Sequence, residues 1–208
     1  MDKNFEKSNF YSNISNYLNP KFYFNLTHLI SNYSEIRNYK KMRNLLENFN
    51  KEDEIYYWYK LKKISQIIYN EQNSKQSLNY IEKKFNEYSN PSTKIIYDMA
   101  NIYKRNKEFE KSIKYYSLLL EKLNENSDEY ADVLHKRGTS YERVGDDKNS
   151  DKDLLKSLSI KPDDPYVLNY LGYSWLERSY KIQEAIEMLN KAYNQKKNDP
   201  FIIDSVGW

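Results

Sequence analysis

The 208-residue chain sets 33 Lys and Arg against 30 Asp and Glu, a formal net charge of +3, with 39% hydrophobic and 30% charged residues. That near balance argues against the basic excess of a nucleic-acid binder, and four glycines with five prolines are too few for a fold of strands and tight turns. No cysteine means no disulfide, no run approaches the 18 apolar residues of a membrane span, and Asp2, Lys3, Glu6 and Lys7 interrupt any signal-peptide core, so a soluble chain without an address is expected.

A repeat runs through the whole chain. One slot, at the small or medium residue in the first helix of each unit, falls at Ile30, Ser65, Ala100, Gly138, Gly172 and Gly207, in steps of 35, 35, 38, 34 and 35. A second slot falls at Ser8, Met42, Ser77, Ser112, Ser150 and Ala185, in steps of 34, 35, 35, 38 and 35. Two slots with one period, both carrying the same long step, predict a helix–turn–helix array, because each helix pair buries too little to stand alone.

In chain order, residues 1–22 read as the second helix of an incomplete repeat, ending near Pro20. Five helical hairpins follow at 23–57, 58–92, 93–130, 131–164 and 165–199, and 200–208 begins a truncated further one. Leu26, Leu29, Ile30 and Tyr33 make the first apolar stripe at helical spacing, answered by Tyr39, Met42, Leu46 and Phe49. Leu61, Ile64, Ser65 and Ile68 make the next, answered by Ser77, Ile81 and Phe85. Ile96, Met99, Ala100 and Tyr103 face Ser112, Tyr116, Leu119 and Leu120, and the extra residues of this hairpin fall in the polar run Asn124–Glu129. Gly145 with Asp146 suits a helix end and a new cap. Leu168, Leu171, Gly172 and Trp175 pair with Ala185, Leu189 and Ala192, and Gly172 and Ala185 let two helices approach closely. On that register Gly172→Leu should be far worse than Ser179→Leu, a change in a turn.

These residues resemble the tetratricopeptide repeat family, most fully from Leu168 to Ala192. Gly138, Tyr141, Gly145 and Pro162 carry a second match; Ala100, Tyr103, Phe109 and Tyr116 carry a third. The resemblance implies an all-α, right-handed superhelical solenoid of antiparallel helix pairs. The closing run from VLNYLGYSWLER to DPFIIDSVGW looks like repeat proteins of Gram-negative, especially alphaproteobacterial, origin, which are commonly exported and longer. That implies a fragment of a bacterial cell-envelope protein, with a cytoplasmic one as the other option.

Catalytic signals are few. His28 and His135 are isolated, and the four glycines form neither GxxxxGK nor GxGxxG. No enzyme, cofactor, metal or small-molecule substrate is expected. The acidic run Asp146, Asp147, Asp151 and Asp153 lacks the spacing of a calcium loop and reads as a helix N-terminus complementing the dipole; Asp163 and Asp164 read the same way. Tyr33, Tyr103, Tyr116 and Tyr141 sit on apolar stripes and are expected in the core. The pairs Lys62, Lys63 and Lys83, Lys84 read as solvated faces.

In the family the first helices line the concave surface, so positions offset from the stripe are implied to face a groove: Tyr59, Lys62, Gln66, Tyr97, Asn101, Lys104, Arg105, His135, Thr139, Arg143, Asn169 and Tyr173. Tyrosine area, charge-assisted bonds and amide pairing suit a gripped peptide. Asp132 lies where a carboxylate clamp would want a basic residue, so that ligand is not expected. The reading is a non-catalytic protein–protein interaction scaffold, with Tyr97→Ala plus Arg105→Ala weakening binding and Lys114→Glu on the outer face sparing it. The alternatives are a recruiting arm of an enzyme whose catalytic domain lies elsewhere and, more weakly, single-stranded RNA binding. Phe201, Ile202, Val206 and Trp208 are expected to form a frayed tail, leaving an apolar patch around Leu189, Tyr193 and Trp208 through which the chain self-associates.

Overall fold

The computed structural model describes residues 5–19 and 22–207. Among them it contains twelve α-helices and no strand. They fall into two compact units, Met1–Ser89 and Asn90–Trp208.

The first unit holds α1 (Phe5–Leu18), α2 (Tyr23–Glu35), α3 (Tyr39–Leu46), α4 (Glu54–Glu71) and α5 (Ser74–Phe85). Asn38, Asp53 and Asn73 cap three of these, each side chain accepting from a backbone N–H of the first turn. The core gathers Leu26, Leu29, Ile30, Tyr33, Met42, Leu46, Phe49 and Ile67. Ile30 and Met42, the large residues in small-residue slots, are both wholly buried there. Phe49 binds the cluster together: Tyr56 stacks on it, and Tyr23 and Tyr59 meet it edge-on. The α4 stripe is rotated from the one predicted. Trp58, Leu61, Ser65 and Ile67 are buried, whereas Ile64 and Ile68 are half-buried. Trp58 turns the helix by packing between Phe85 and Tyr88. Where α4 crosses α5 the Ser65 and Ser77 hydroxyls are 2.8 Å apart, and Ser77 Oγ donates to the Ser65 carbonyl at 2.7 Å. The small-residue slots thus meet each other, with their polar atoms satisfied.

The second unit holds α6 (Thr93–Arg105), α7 (Phe109–Leu120), α8 (Asp128–Arg143), α9 (Asp147–Ile160), α10 (Pro165–Glu177), α11 (Ile182–Gln195) and α12 (Pro200–Val206). The polar run before α8 is shorter than expected: Ser127 caps the helix, so Asp128 and Glu129 belong to its acidic first turn. Gly145 takes a left-handed φ of 78° after α8, and Asp146 accepts the Asn149 N–H to start α9. Asp164 and Asp199 cap α10 and α12, each followed by proline at the first helical position.

Not all of the acidic run serves the helix start. Asp153 is buried and takes a two-pronged bond from Arg137, Nε at 2.7 Å and Nη2 at 2.9 Å. Asp151 accepts from Trp175 Nε1 at 3.0 Å and Arg178 Nη2 at 2.7 Å. Both carboxylates tie α9 to neighbouring helices rather than complementing its dipole. Tyr33, Tyr103 and Tyr116 are buried as expected, while Tyr141 is only half-buried. Lys62, Lys63 and Lys84 are half-buried, not freely solvated; burial pulls the Lys63 amine down from its usual range.

The end of the chain departs from expectation. Residues 200–206 form α12, seated by Ile202, which is wholly buried against Leu168 and Ala192. Leu189 is buried and Tyr193 half-buried, so neither makes an exposed patch; Phe201, Ile203 and Val206 are the apolar side chains of α12 turned outward, and Trp208 lies outside the described residues, as does Pro20.

Candidate functional site

In the second unit the first helices of successive pairs stand side by side, and polar ties between them fix the spacing. Lys104 on α6 donates to Thr139 Oγ1 and to the Lys136 carbonyl on α8, the latter at 3.4 Å. On α10, Tyr170 donates its hydroxyl to Glu142 of α8, and its ring meets His135 edge-on with centroids 6.2 Å apart. Asn169 donates to Ser205 Oγ of α12 at 3.1 Å. These four helices therefore present one continuous surface.

The side chains predicted to face a groove divide by what they touch. Arg105 and Arg143 are exposed. Tyr97 is half-buried, with the Lys94 and Lys136 ammonium groups each 5.8 Å from its ring centroid. Tyr173 is half-buried, and its hydrogen bond to Glu177 raises the phenol above its ordinary value. Asn101, Thr139 and Asn169 are committed internally. Asn101 donates to the Tyr97 carbonyl and accepts from Tyr116 at 2.9 Å; Thr139 is buried, donates to the Lys136 carbonyl at 2.9 Å and accepts from Lys104. Sequence reading had no signal for Lys136, Glu142 and Tyr170, because their partners lie a full repeat away.

Two basic groups on this surface are held in a depressed range. Burial first, then the charges of Lys136 and Arg143, lower Lys104 to about 8. Burial and then Lys104 lower His135 to about 4, against an opposing pull from Asp164 and Asp132. Folded His135 thus binds its proton later than the unfolded chain does. Stability is complete above the ordinary imidazole value near 6.5 and falls as pH drops from there towards 4. Between pH 7 and pH 5 this histidine is expected to cost the fold about 2 kcal/mol. Urea unfolding at the two pH values, for the native chain and His135→Gln, checks it; an equal pH loss in both removes His135 as the cause.

Two clefts flank the surface. One of about 460 Å³ lies between Glu142, Arg143, Tyr170, Tyr173 and Arg178. The other, about 340 Å³, has apolar walls of Tyr97, Leu119, Leu123 and Val133 beneath a rim of Lys94, Glu129 and Asp132. Asp132 pairs with Lys161 Nζ at 2.8 Å. Among the described residues no group of three His, Asp or Glu is placed to hold a metal ion, and no helix is long and apolar enough to cross a membrane.

Tyr59, Lys62 and Gln66 belong to α4 of the first unit. Tyr59 is half-buried against the core, donating to the Thr27 carbonyl at 3.3 Å and packing on Phe49; burial raises its phenol. Lys62 is half-buried, and Gln66 is exposed, reaching Ser34 Oγ at 3.4 Å.

The tetratricopeptide repeat family model matches residues 93–121 and 131–164. A TPR repeat-containing protein of Pseudomonas aeruginosa is 36% identical over 76 residues, 36% of this chain and 13% of that protein, so the match spans a small part of the relative. That organism is Gram-negative, in keeping with the likeness of the closing run. BtubC (BKLC) from P. vanneervenii superposes with a TM-score of 0.69 at 18% identity, over 91% of this chain and 87% of that one. YrrB, a TPR protein with an unusual peptide-binding site, gives 0.60 at 12% identity over 95% and 98%. The Cut9–Hcn1 hetero-tetramer of the APC/C gives 0.65 at 12% identity, over 98% of this chain and 39% of that chain. At such identities the superpositions establish the shared helical-repeat fold.

Proposed function

We propose that this chain of tetratricopeptide repeats is a non-catalytic protein–protein interaction scaffold, and that a partner segment lies along the surface formed by α6, α8 and α10. The observation that carries this reading is the division of labour on that surface. Lys104, Thr139, Glu142 and Tyr170 hold the helices at fixed spacing, while Arg105 and Arg143 remain exposed beside the half-exposed rings of Tyr97 and Tyr173. Rigid supports under exposed guanidinium and phenol groups suit a partner that brings carboxylates and backbone carbonyls, because the helices that carry them need not rearrange on binding. YrrB, which shares the fold, has a peptide-binding site by description, and that supports a peptide-like partner here. Lys62 and Gln66 would offer contacts on the first unit's own surface, beside a half-buried Tyr59 whose hydroxyl is already given to the Thr27 carbonyl. The five-hairpin division belongs to this reading too. Because the curated relative is matched over only 13% of its length, a role as recruiting arm of a longer protein uses the same surface and differs only in what the rest of the chain does.

The test is a pull-down from the source cell with the full chain, then affinity measurement with the purified partner. Arg105→Ala with Arg143→Ala is a cleaner pair than one including Tyr97, which packs on the core. The pair is expected to weaken binding at least tenfold with unchanged helicity, and Lys114→Glu on α7 to leave it intact. Loss of binding in Lys114→Glu, with none in the arginine pair, overturns the assignment.

A further inference from the structure

In α1 the two faces of an amphipathic helix are placed the opposite way from the usual one. Ser8, Asn9 and Ser15 point at α2. Asn32 of α2, itself buried, donates to Ser8 Oγ and to Asn9 Oδ1, both at 3.0 Å. The Ser8 hydroxyl meets His28 Nε2 at 3.0 Å, and Asn25 donates to Ser15 Oγ. The seat on α2 is polar to match, while the opposite side of α2 sends Leu26, Leu29, Ile30 and Tyr33 into the core. Rotating α1 by half a turn would bury its apolar side against unpaired amides, so the polar seat fixes the orientation.

The face left outward is apolar. Phe10, Ile14, Tyr17 and Leu18 recur at helical spacing, with Tyr11 beside Phe10, and these five are between 43% and 85% exposed. At about 200 Å² per large side chain they present up to roughly 650 Å², the upper end of the largest patch a monomer ordinarily leaves open. We infer that α1 is a homodimerisation element: its outward face packs against the same face of a second copy. From Ser8 to Asn19 the helix carries no charged side chain, and the exposed Lys7 stands one turn before Phe10 and Tyr11 at the N-terminal end of this face, so an antiparallel pairing keeps the two ammonium groups at opposite ends of the contact. Self-pairing buries at most roughly 1,300 Å² in total, which reaches the lower part of the range of specific interfaces. A helix that lies on a lipid surface carries Lys and Arg along its polar side; here that side holds serine and asparagine and is occupied by α2.

The experiment uses the full chain in sedimentation velocity, with circular dichroism as the folding control. The native chain is expected to dimerise at micromolar concentration, and Ile14→Glu with Leu18→Glu to raise the dissociation constant at least tenfold while helicity is retained. The absence of native cysteine gives a second readout that does not depend on disrupting the helix. Ile14→Cys, at the middle of the outward face, should form a disulfide-linked dimer on mild oxidation, and Ser12→Cys, on the inward side, should not. A monomer at every concentration, a dimer indifferent to both glutamates, equal cross-linking of the two cysteine variants, or co-sedimentation of a monomer with phosphatidylcholine vesicles each overturns the inference.

Discussion

Gly172→Leu is expected to destabilise the second unit by about 3 kcal/mol, the upper part of the range for overpacking a tight contact. Gly172 lies where α10 crosses α11, and a Cβ built there would stand 2.9 Å from the Ala185 carbonyl oxygen, 3.1 Å from Leu189 Cγ and 3.3 Å from Met188 Cβ. The nearest of these atoms is backbone, so relief requires moving a helix. Gly138 provides the comparison, because its nearest neighbour at 3.0 Å is Leu154 Cγ, a side-chain atom. Alanine adds about 1 kcal/mol of helix propensity at either site. That gain should offset most of the strain at Gly138 and little of it at Gly172. Ser179→Leu is a poor control, since Ser179 has a φ of 52° and a bulky residue there is strained in its own right. Asn190→Leu, at an exposed position of α11, is better. Denaturant midpoints for Gly172→Leu, Gly172→Ala, Gly138→Ala and Asn190→Leu test the order; equal midpoints for the two alanine variants would refute the backbone contact as its cause.

The helices were legible because their signal is local. Leu168, Leu171, Gly172 and Trp175 lie within eight residues of one another, and all four are buried as the 3.6-residue period requires. Asp164 and Pro165 announced a helix start in the same way. The α4 register was less legible: Ile64 and Ile68 fit the period as well as Trp58 and Ile67 do, and only the packing of Trp58 on Phe85 and Tyr88 selects one stripe. The proposed interaction surface was half legible. Spacing put Arg105, Arg143 and Tyr173 beside the apolar stripe, but it could not show that Thr139 and Asn101 are also bonded to Lys104 and Tyr116, which sit 35 and 15 residues away. The outward face of α1 was hidden for a related reason. A period says which residues share a face; the polar residues of α2 decide which face turns in.

Asp153→Ala should prove as costly as the glycine change, by a different route. The Asp153 carboxylate is buried and holds both Nε and Nη2 of Arg137, whose Nη1 donates to Ser117 Oγ on α7 at 2.9 Å. One guanidinium therefore joins α7, α8 and α9, with its ring-facing side over Tyr141 at 5.7 Å. Removing the carboxylate leaves a charge that has lost its solvent and its partner, and breaking a buried pair in this way costs about 3–5 kcal/mol. Arg137 keeps 19% of its side chain exposed, so water reaching it should hold the loss near the lower end of that range. The pair itself adds less stability than its breakage suggests, because both ions were desolvated to form it. The double variant Arg137→Met with Asp153→Leu should therefore recover most of what Asp153→Ala loses, while Arg137→Met alone, which strands the carboxylate, should not. Urea unfolding of the three variants separates the accounts. If the double change is as damaging as Asp153→Ala, the bond's contribution is the positioning of α9 and not the cancellation of two buried charges.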